Sequence, residues 1–366
     1  MKFRILKEAF QEGLQQVQHV VSARTTLPIL SNVLVEAEGD ALRLTTTDLD
    51  VGVSVRVDAK VEVPGGTTLP ARRLASIIRE LPASDVDVEV DDKNTASIRS
   101  GRSFFKILGL NRDEFPPLPD FEDAHEFKLD QKRLLDCLKK TSYAISTDET
   151  RYVLNGIFFS FKEGSLTMVA TDGRRLAMVE QDVEFPQSQE TDMIIPTKAV
   201  NELQRLLHDE GEVTMLVGTS QVAFELNQSL LVSKLIEGNY PNFRQVIPGD
   251  LKHRITIERE ALLSSVSRVA VLSTDKSHSI KLHFGEDDVE IISTAPEIGE
   301  ARENLPIDFK GDPFTIAFNP EFMIAPLRNL EVDEVYLDLT DDMCPGVMRT
   351  RDTTFLYVLM PMRVTQ

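Results

Sequence analysis

One pattern, written three times, constrains this chain more than any other feature. Lys2-Phe3-Arg4-Ile5, Glu126-Phe127-Lys128-Leu129 and Arg254-Ile255-Thr256-Ile257 each read as a short alternating strand. Each leads into an amphipathic helix, over residues 6–21, 130–145 and 258–272. Apolar positions recur there at helical spacing: Leu6, Phe10, Leu14, Val17 and Val21; Leu134 and Leu138; Leu262, Val266 and Val269. A hairpin follows in every copy, turning at Glu38-Gly39-Asp40, Lys162-Glu163-Gly164 and Gly285-Glu286-Asp287. The hairpins run out into Thr46-Thr47-Asp48, Ala170-Thr171-Asp172-Gly173 and Ser293-Thr294, and alternation is clearest at Val51, Val53, Val55 and Val57. A second strand–helix unit comes next, its helices over 71–80, 197–208 and 320–330, each entered through a proline or asparagine that suits a helix start. Further strands, such as those carrying Val86, Val88 and Val90 or Val335, Leu337 and Leu339, close each copy.

The repeat distance is nearly constant: 124 from Phe3 to Phe127, 124 from Thr47 to Thr171 and 123 from Thr171 to Thr294. A third of 366 residues is 122, so three copies fill the chain. Domains over 1–122, 123–250 and 251–366 are expected, joined at Phe115-Pro116-Pro117-Leu118-Pro119 and between Tyr240-Pro241 and Pro248-Gly249. The expected class is α+β: three tandem domains, each made of two strand–helix–strands halves.

Charge divides between the elements. The six helical segments hold 13 Lys+Arg and 9 Asp+Glu, whereas the remainder holds 27 and 50, within a net charge of -19. Arg72, Arg73, Arg79, Lys132, Arg133, Lys139, Lys140, Lys198 and Arg205 dominate the cationic side. On a single helix such residues decorate a solvated face; repeated over equivalent helices they suggest a common anionic partner. If the helices face inward and the sheets form an outer wall, six helices make half a circle. Twelve helices of about 10 Å width trace a ring roughly 38 Å across, leaving a hole of about 28 Å, which admits a duplex. Such contact is with phosphates and carries no sequence readout.

Ordered as they are, several motifs point to one family. Thr26-Leu27-Pro28-Ile29-Leu30-Ser31-Asn32, Arg151-Tyr152-Val153-Leu154-Asn155-Gly156, Ala170-Thr171-Asp172-Gly173-Arg174-Arg175-Leu176-Ala177, Tyr240-Pro241-Asn242-Phe243 and Tyr357-Val358-Leu359-Met360-Pro361-Met362-Arg363 occur in register. With them the chain resembles the bacterial sliding clamps, the beta subunits of DNA polymerase III, from residue 1 to about residue 364. The resemblance implies a head-to-tail homodimeric ring of six similar domains around double-stranded DNA, helices inside and sheets outside. Such a ring tethers the DNA polymerase III catalytic subunit and other polymerases for processive synthesis.

The resemblance also implies a groove between the second and third domains that receives short hydrophobic peptides from polymerases, the clamp loader and repair proteins. Its walls, carried over by motif, are Leu154, Thr171, Gly173, Arg174, Arg175, Leu176, Pro241, Val246, Asn319, Phe322, Val358, Met360, Pro361 and Met362. Adaptable methionines and a proline-fixed backbone suit a site that accepts several related apolar peptides. DNA-facing positions are Arg24, Arg72, Arg79, Lys132, Lys139, Lys198 and Arg205. Ring closure implies that the apolar strand containing Phe105 and Ile107, hazardous as a free edge, pairs with a third-domain strand of a second copy, beside Val271 and Leu272. Arg73 and Arg102 are then expected to meet Glu297, Glu300 or Glu303. The chain departs from the family pattern at Gln245, where arginine is frequent, at Phe322, where tyrosine is, and in the acidic loop Thr147-Asp148-Glu149-Thr150.

Little points to catalysis. Six histidines are scattered, no glycine-rich phosphate cradle or Gly-x-Ser-x-Gly elbow occurs, and Asp48, Asp50 and Asp172 sit beside turns, which carboxylates commonly cap. No cofactor or metal is expected, and opening the ring should need a partner that hydrolyses nucleotide. The competing readings are a metal-dependent hydrolase built on Asp48, Asp172 and a histidine, and a β-rich scaffold that binds peptides but no DNA. Two cysteines, Cys137 and Cys344, make neither a disulfide framework nor a zinc cluster. With a charged, interrupted N-terminus and no membrane-length apolar run, they lead to a cytoplasmic expectation.

Overall fold

The computed structural model describes residues 1–21, 27–121, 124–249, 251–273, 279–296 and 298–363. Arg24, Glu297 and His278 therefore lie outside the described residues. The described residues contain six α-helices: α1 (Lys7–Val17), α2 (Ala71–Glu80), α3 (Gln131–Thr141), α4 (Thr197–Leu206), α5 (Arg259–Ala270) and α6 (Pro320–Asn329). All six fall inside the segments expected from apolar spacing. The first hand-over differs in detail: Leu6 ends the strand Lys2–Leu6 and is 61% exposed, so it is not part of the helical face. Alternation has already placed Phe3 and Ile5 in the core, and the next inward position is Phe10. Likewise α3 stops at Thr141, whose hydroxyl donates to the Cys137 carbonyl (2.8 Å), and a 3-10 turn continues over Ser142–Ala144.

Helix ends are fixed locally. The Glu258 carboxylate accepts from the N–H groups of Glu260 and Ala261 ahead of α5, and Asn319 Oδ1 accepts from Glu321 N ahead of α6 (2.9 Å). Each satisfies N–H groups that the first helical turn leaves unpaired.

Two compact units divide the chain, one formed by Met1–Leu135 and Lys198–Leu235, the other by Asp136–Thr197 and Ile236–Gln366. Each holds an eight-stranded antiparallel sheet drawn from two successive repeats. In the first unit Gly65–Pro70, Asn32–Glu38, Ala41–Thr47 and Val51–Asp58 come from the first repeat. They continue into Ser229–Lys234, Gln221–Leu226, Glu212–Val217 and His125–Asp130 of the second. In the second unit Thr191–Pro196, Gly156–Lys162, Ser165–Thr171 and Arg175–Asp182 continue into Phe355–Leu359, Gly346–Arg349, Glu334–Leu339 and His253–Glu258. The seams match: Val51 to Val55 pair with Ser233 to Ser229, and Arg175 to Val179 with Leu359 to Phe355.

Two smaller sheets remain. The first unit also has a five-stranded sheet ending in Ser103–Leu108; the second has a four-stranded sheet ending in Gly299–Pro306. The seam strands keep a strict period. Val51–Asp58, Arg175–Asp182 and Gly299–Pro306 start at intervals of 124 residues, and Ser103–Leu108, Ser229–Lys234 and Phe355–Leu359 at intervals of 126. In each repeat the helices lie against strands whose inward positions are Val, Leu, Ile and Phe, and these form the core.

Candidate functional site

In the second unit several of the expected groove residues lie around one turn. Asp172 Oδ1 accepts from the N–H groups of Arg174 (2.9 Å) and Arg175 (3.1 Å). Thr171 Oγ1 accepts from Gly173 N (3.1 Å) and donates to the Arg175 carbonyl (2.6 Å). Gly173 itself has φ 84°, a left-handed conformation that side chains resist. So Thr-Asp-Gly builds a turn, and that turn aims the arginines. Arg175 Nε donates to Asp172 Oδ2 (3.0 Å), and its guanidinium lies 4.3 Å from the Phe322 ring centroid. Such a stacked cation gains from the ring's negative face, more so when water is excluded.

Beside the turn the sheet presents a closed apolar face. Val169, Leu176, Met178, Val347, Leu356 and Val358 are buried, and the segment after Gly238 packs over them through Tyr240, Phe243, Ile247 and Leu251. Tyr240 stacks on Phe158 at 4.9 Å between centroids and donates through its hydroxyl to the Val169 carbonyl (3.4 Å). Burial pushes the Tyr240 phenol above its ordinary range, so it remains a donor. Pro241 and Val246 stand exposed on that covering segment, Val246 by 41%. At the other rim the chain end is tied down: Met360 N donates to the Arg174 carbonyl (3.0 Å) and Met362 N to the Ala317 carbonyl (2.7 Å). Met360 and Pro361 are half-buried, Met362 exposed, Leu154 buried, and Asn319 and Phe322 half-buried. The result is an apolar floor with the unbranched Met360 and Met362 on one side, a proline-stiffened segment on another and the Arg175 cation at the edge.

Three residues here were missed by reading the sequence for walls alone. Tyr240 and Phe243 stand in a quoted motif, one on a loop and the other opening a single 3-10 turn (Phe243–Val246), neither with periodicity, so only their aromatic character signals burial. Tyr357 lies on a strand and is fully buried, its ring 5.9 Å from that of Tyr143.

The cationic helix positions are more engaged than their formal charge suggests. In the first unit Lys198 pairs with Asp48 and also donates to the Val20 carbonyl (2.7 Å), and Arg72 donates to the Val21 carbonyl (3.0 Å). Arg205 pairs with the buried Glu202, and Arg79 with Glu80 (3.3 Å). Lys132 and Lys139 are exposed on α3. Asp48 is the turn former of the first repeat, accepting from Asp50 N and Val51 N. Burial alone would raise its carboxyl; the Lys198 ammonium and the two N–H groups outweigh burial and hold it below the usual carboxylate range. Both candidate metal carboxylates, Asp48 and Asp172, are thus spent on turns and cations. Among the described residues no group of three or more His, Cys, Asp or Glu is arranged to hold a metal ion.

Edge residues complete the picture. On Ser103–Leu108, Phe104 is 55% and Leu108 74% exposed, with Phe105 exposed and Ile107 half-buried. Arg73 and Arg102 are exposed, Val271 is 79% exposed and Leu272 half-buried. The acidic edge is already partnered within its own unit: Glu303 takes both Arg268 Nε (2.7 Å) and Nη2 (2.9 Å), and Glu300 pairs with Arg302.

The arrangement matches known families along its whole length. Residues 1–119 match the model of the DNA polymerase III beta subunit N-terminal domain, 128–242 that of the central domain and 244–363 that of the C-terminal domain. The chain belongs to the DNA polymerase III beta subunit family. It is 36% identical to the beta sliding clamp of Chlamydia muridarum over 364 residues, covering 100% of this chain and 99% of that protein. To the beta sliding clamp of Bacillus subtilis it is 32% identical, covering 99% and 100%. The crystal structure of the Bacillus subtilis DNA polymerase sliding clamp superposes with a TM-score of 0.95 at 31% identity, each chain fully covered. The Pseudomonas aeruginosa DnaN sliding clamp bound to griselimycin gives 0.95 at 33%, again with full coverage of both. As a beta subunit the chain is a DNA polymerase sliding clamp, a non-catalytic processivity subunit. Three tandem α+β clamp domains are its fold.

Proposed function

We propose that two copies of this chain join head to tail into a closed ring that encircles duplex DNA, and that the groove of the second unit takes short apolar peptides of polymerases, the clamp loader and repair proteins. The observation that carries the ring is the pair of unfinished sheets. Inside the chain, a strand of the Val51/Arg175 series always pairs with one of the Ser229/Phe355 series. Gly299–Pro306 and Ser103–Leu108 are the remaining members of those two series, and both are sheet edges. An exposed apolar edge is a template for another strand. Two identical contacts of this kind close a two-fold ring.

The repeat period also supplies a register. Ser229 pairs with Val55 and Ser233 with Val51. Shifting one strand back by 126 and the other forward by 248 sets Ser103 opposite Glu303, Phe104 opposite Arg302, Lys106 opposite Glu300 and Ile107 opposite Gly299. Lys106, which reading for edge arginines overlooked, becomes the direct cationic partner of Glu300. Arg73, Arg102, Val271, Leu272 and, outside the described residues, Glu297 flank this seam.

In this reading Lys132 and Lys139, with Arg24, Arg72, Arg79, Lys198 and Arg205, face the DNA. The same reading assigns the groove to griselimycin, which the Pseudomonas aeruginosa clamp binds, and sets the domains at 1–122, 123–250 and 251–366 in the cytoplasm. The decisive experiment loads the chain on nicked circular DNA with a clamp loader. Retention on the circle and loss after a single cut are expected; equal retention on circular and linear DNA refutes encirclement.

A further inference from the structure

Helix α6 carries a proline at its centre, Pro326. Proline has no N–H, and its ring crowds the carbonyl four residues earlier. Here that carbonyl belongs to Phe322, the residue whose ring carries the Arg175 guanidinium. A partly buried carbonyl left without a donor carries a cost. The structure supplies one from a distant strand: the Tyr357 hydroxyl donates to the Phe322 carbonyl at 2.8 Å. Tyr357 is fully buried, with its ring parallel to that of Phe355 and tilted against that of Tyr143, so the hydroxyl has little freedom to point elsewhere. Burial also raises its pKa, keeping it a donor.

We propose that Pro326 and Tyr357 act together as positioning residues for the groove: the proline turns the Phe322 carbonyl out of the helix, and the tyrosine anchors it to the strand that forms the groove floor. The inference rests on the peptide-groove reading. Its consequence is geometric. Phe322 is the first-turn residue of α6 that faces the groove, and its backbone is pinned to the strand that also carries Val358 and leads into Met360. The Tyr357 bond therefore ties the first turn of α6, and with it the ring of Phe322, to the sheet in which Arg175 already pairs with Leu359. The wall and the floor form one piece.

The test uses the full-length chain and griselimycin as the probe, with affinity and thermal midpoint measured for Tyr357→Phe, Pro326→Ala and the double variant. Tyr357→Phe orphans the carbonyl, and griselimycin affinity is expected to fall roughly fivefold or more. Pro326→Ala provides an N–H four residues on, within the helix, and alone should change affinity by less than about twofold. In the double variant the new N–H replaces the lost hydroxyl, and affinity should recover to within about twofold of the parent. Recovery is the signature that a general packing role for Tyr357 would not give. Unchanged affinity in Tyr357→Phe, or a loss that Pro326→Ala fails to rescue, overturns the latch. Val246→Asp, on the opposite wall, separates this from failure of the groove itself. If that change leaves griselimycin binding intact, the groove reading falls and the latch's role in binding falls with it. If Val246→Asp abolishes binding while Tyr357→Phe does not weaken it, the latch alone is overturned.

Discussion

Leu49 and Gly173 occupy the same position of the same turn in successive repeats, with φ of 79° and 84°. The hydrogen bonds around them correspond one for one: Leu49 N to Thr47 Oγ1 at 3.0 Å, Gly173 N to Thr171 Oγ1 at 3.1 Å. Only the glycine holds this conformation without steric cost. Leu49→Gly should therefore leave stability unchanged or raise it by up to about 1 kcal/mol, the relieved strain being partly offset by a more flexible unfolded chain. Gly173→Ala should cost roughly 1–2 kcal/mol. A Cβ there would also come within 2.8 Å of Arg151 Nη1. Urea unfolding of the two variants checks the asymmetry.

A second close approach distinguishes the first repeat from the second. A Cβ built on Gly52 would lie 2.4 Å from Leu118 Cδ2, whereas the equivalent residue in the second repeat is Leu176. The proline-rich joint has moved its leucine into the space that a side chain fills in the other copy. Gly52→Ala should destabilise by about 1–3 kcal/mol. Adding Leu118→Ala should return part of that loss, and a double-mutant cycle showing plain additivity would contradict the contact.

The register across the proposed seam predicts a charge-swap pattern. Lys106→Glu or Glu300→Lys places like charges opposite one another at both contacts of the ring, and each should weaken dimerisation several-fold. Combining the two in one chain restores opposite charges and should recover most of the affinity in sedimentation velocity. Because Glu300 also pairs with Arg302, the swap is expected to recover less than the whole.

The Asp48–Lys198 pair sets an acid sensitivity. Asp48 has its folded-state pKa below the ordinary carboxylate value. Its contribution is therefore complete above that ordinary value and is lost as pH falls through the lower folded value. Asp48→Asn should lower stability at neutral pH and flatten the pH dependence below about pH 4. A variant that keeps the parent's acid slope would assign that slope to other carboxylates.

How much of this was legible in the sequence depends on the range of the interaction. The helices were legible because Phe10, Leu14 and Val17 mark a face within a few turns. The hairpins were legible because Gly39 and Gly164, both at positive φ, sit at their tips. Sharing of sheets between repeats was not, since the alternation of Val51, Val53 and Val55 names a buried face and says nothing of the neighbour at Ser229. Leu6 was misplaced because an apolar residue at a strand–helix hand-over satisfies both periods, and only one can be realised. The groove's turn was readable from Thr171-Asp172-Gly173. Its covering aromatics and the Tyr357–Phe322 bond were not, because they join segments whose pairing no local pattern encodes.

The seams inside the chain and the seam proposed between chains are built from members of the same two strand series. What separates them is the covalent tether: a linked pair of edges meets at an effective concentration set by the tether and independent of dilution, whereas two free chains meet only at their actual concentration. The joints proposed between chains are thus the ones expected to open first on dilution, and an opening machine would only have to act where the polypeptide is already discontinuous.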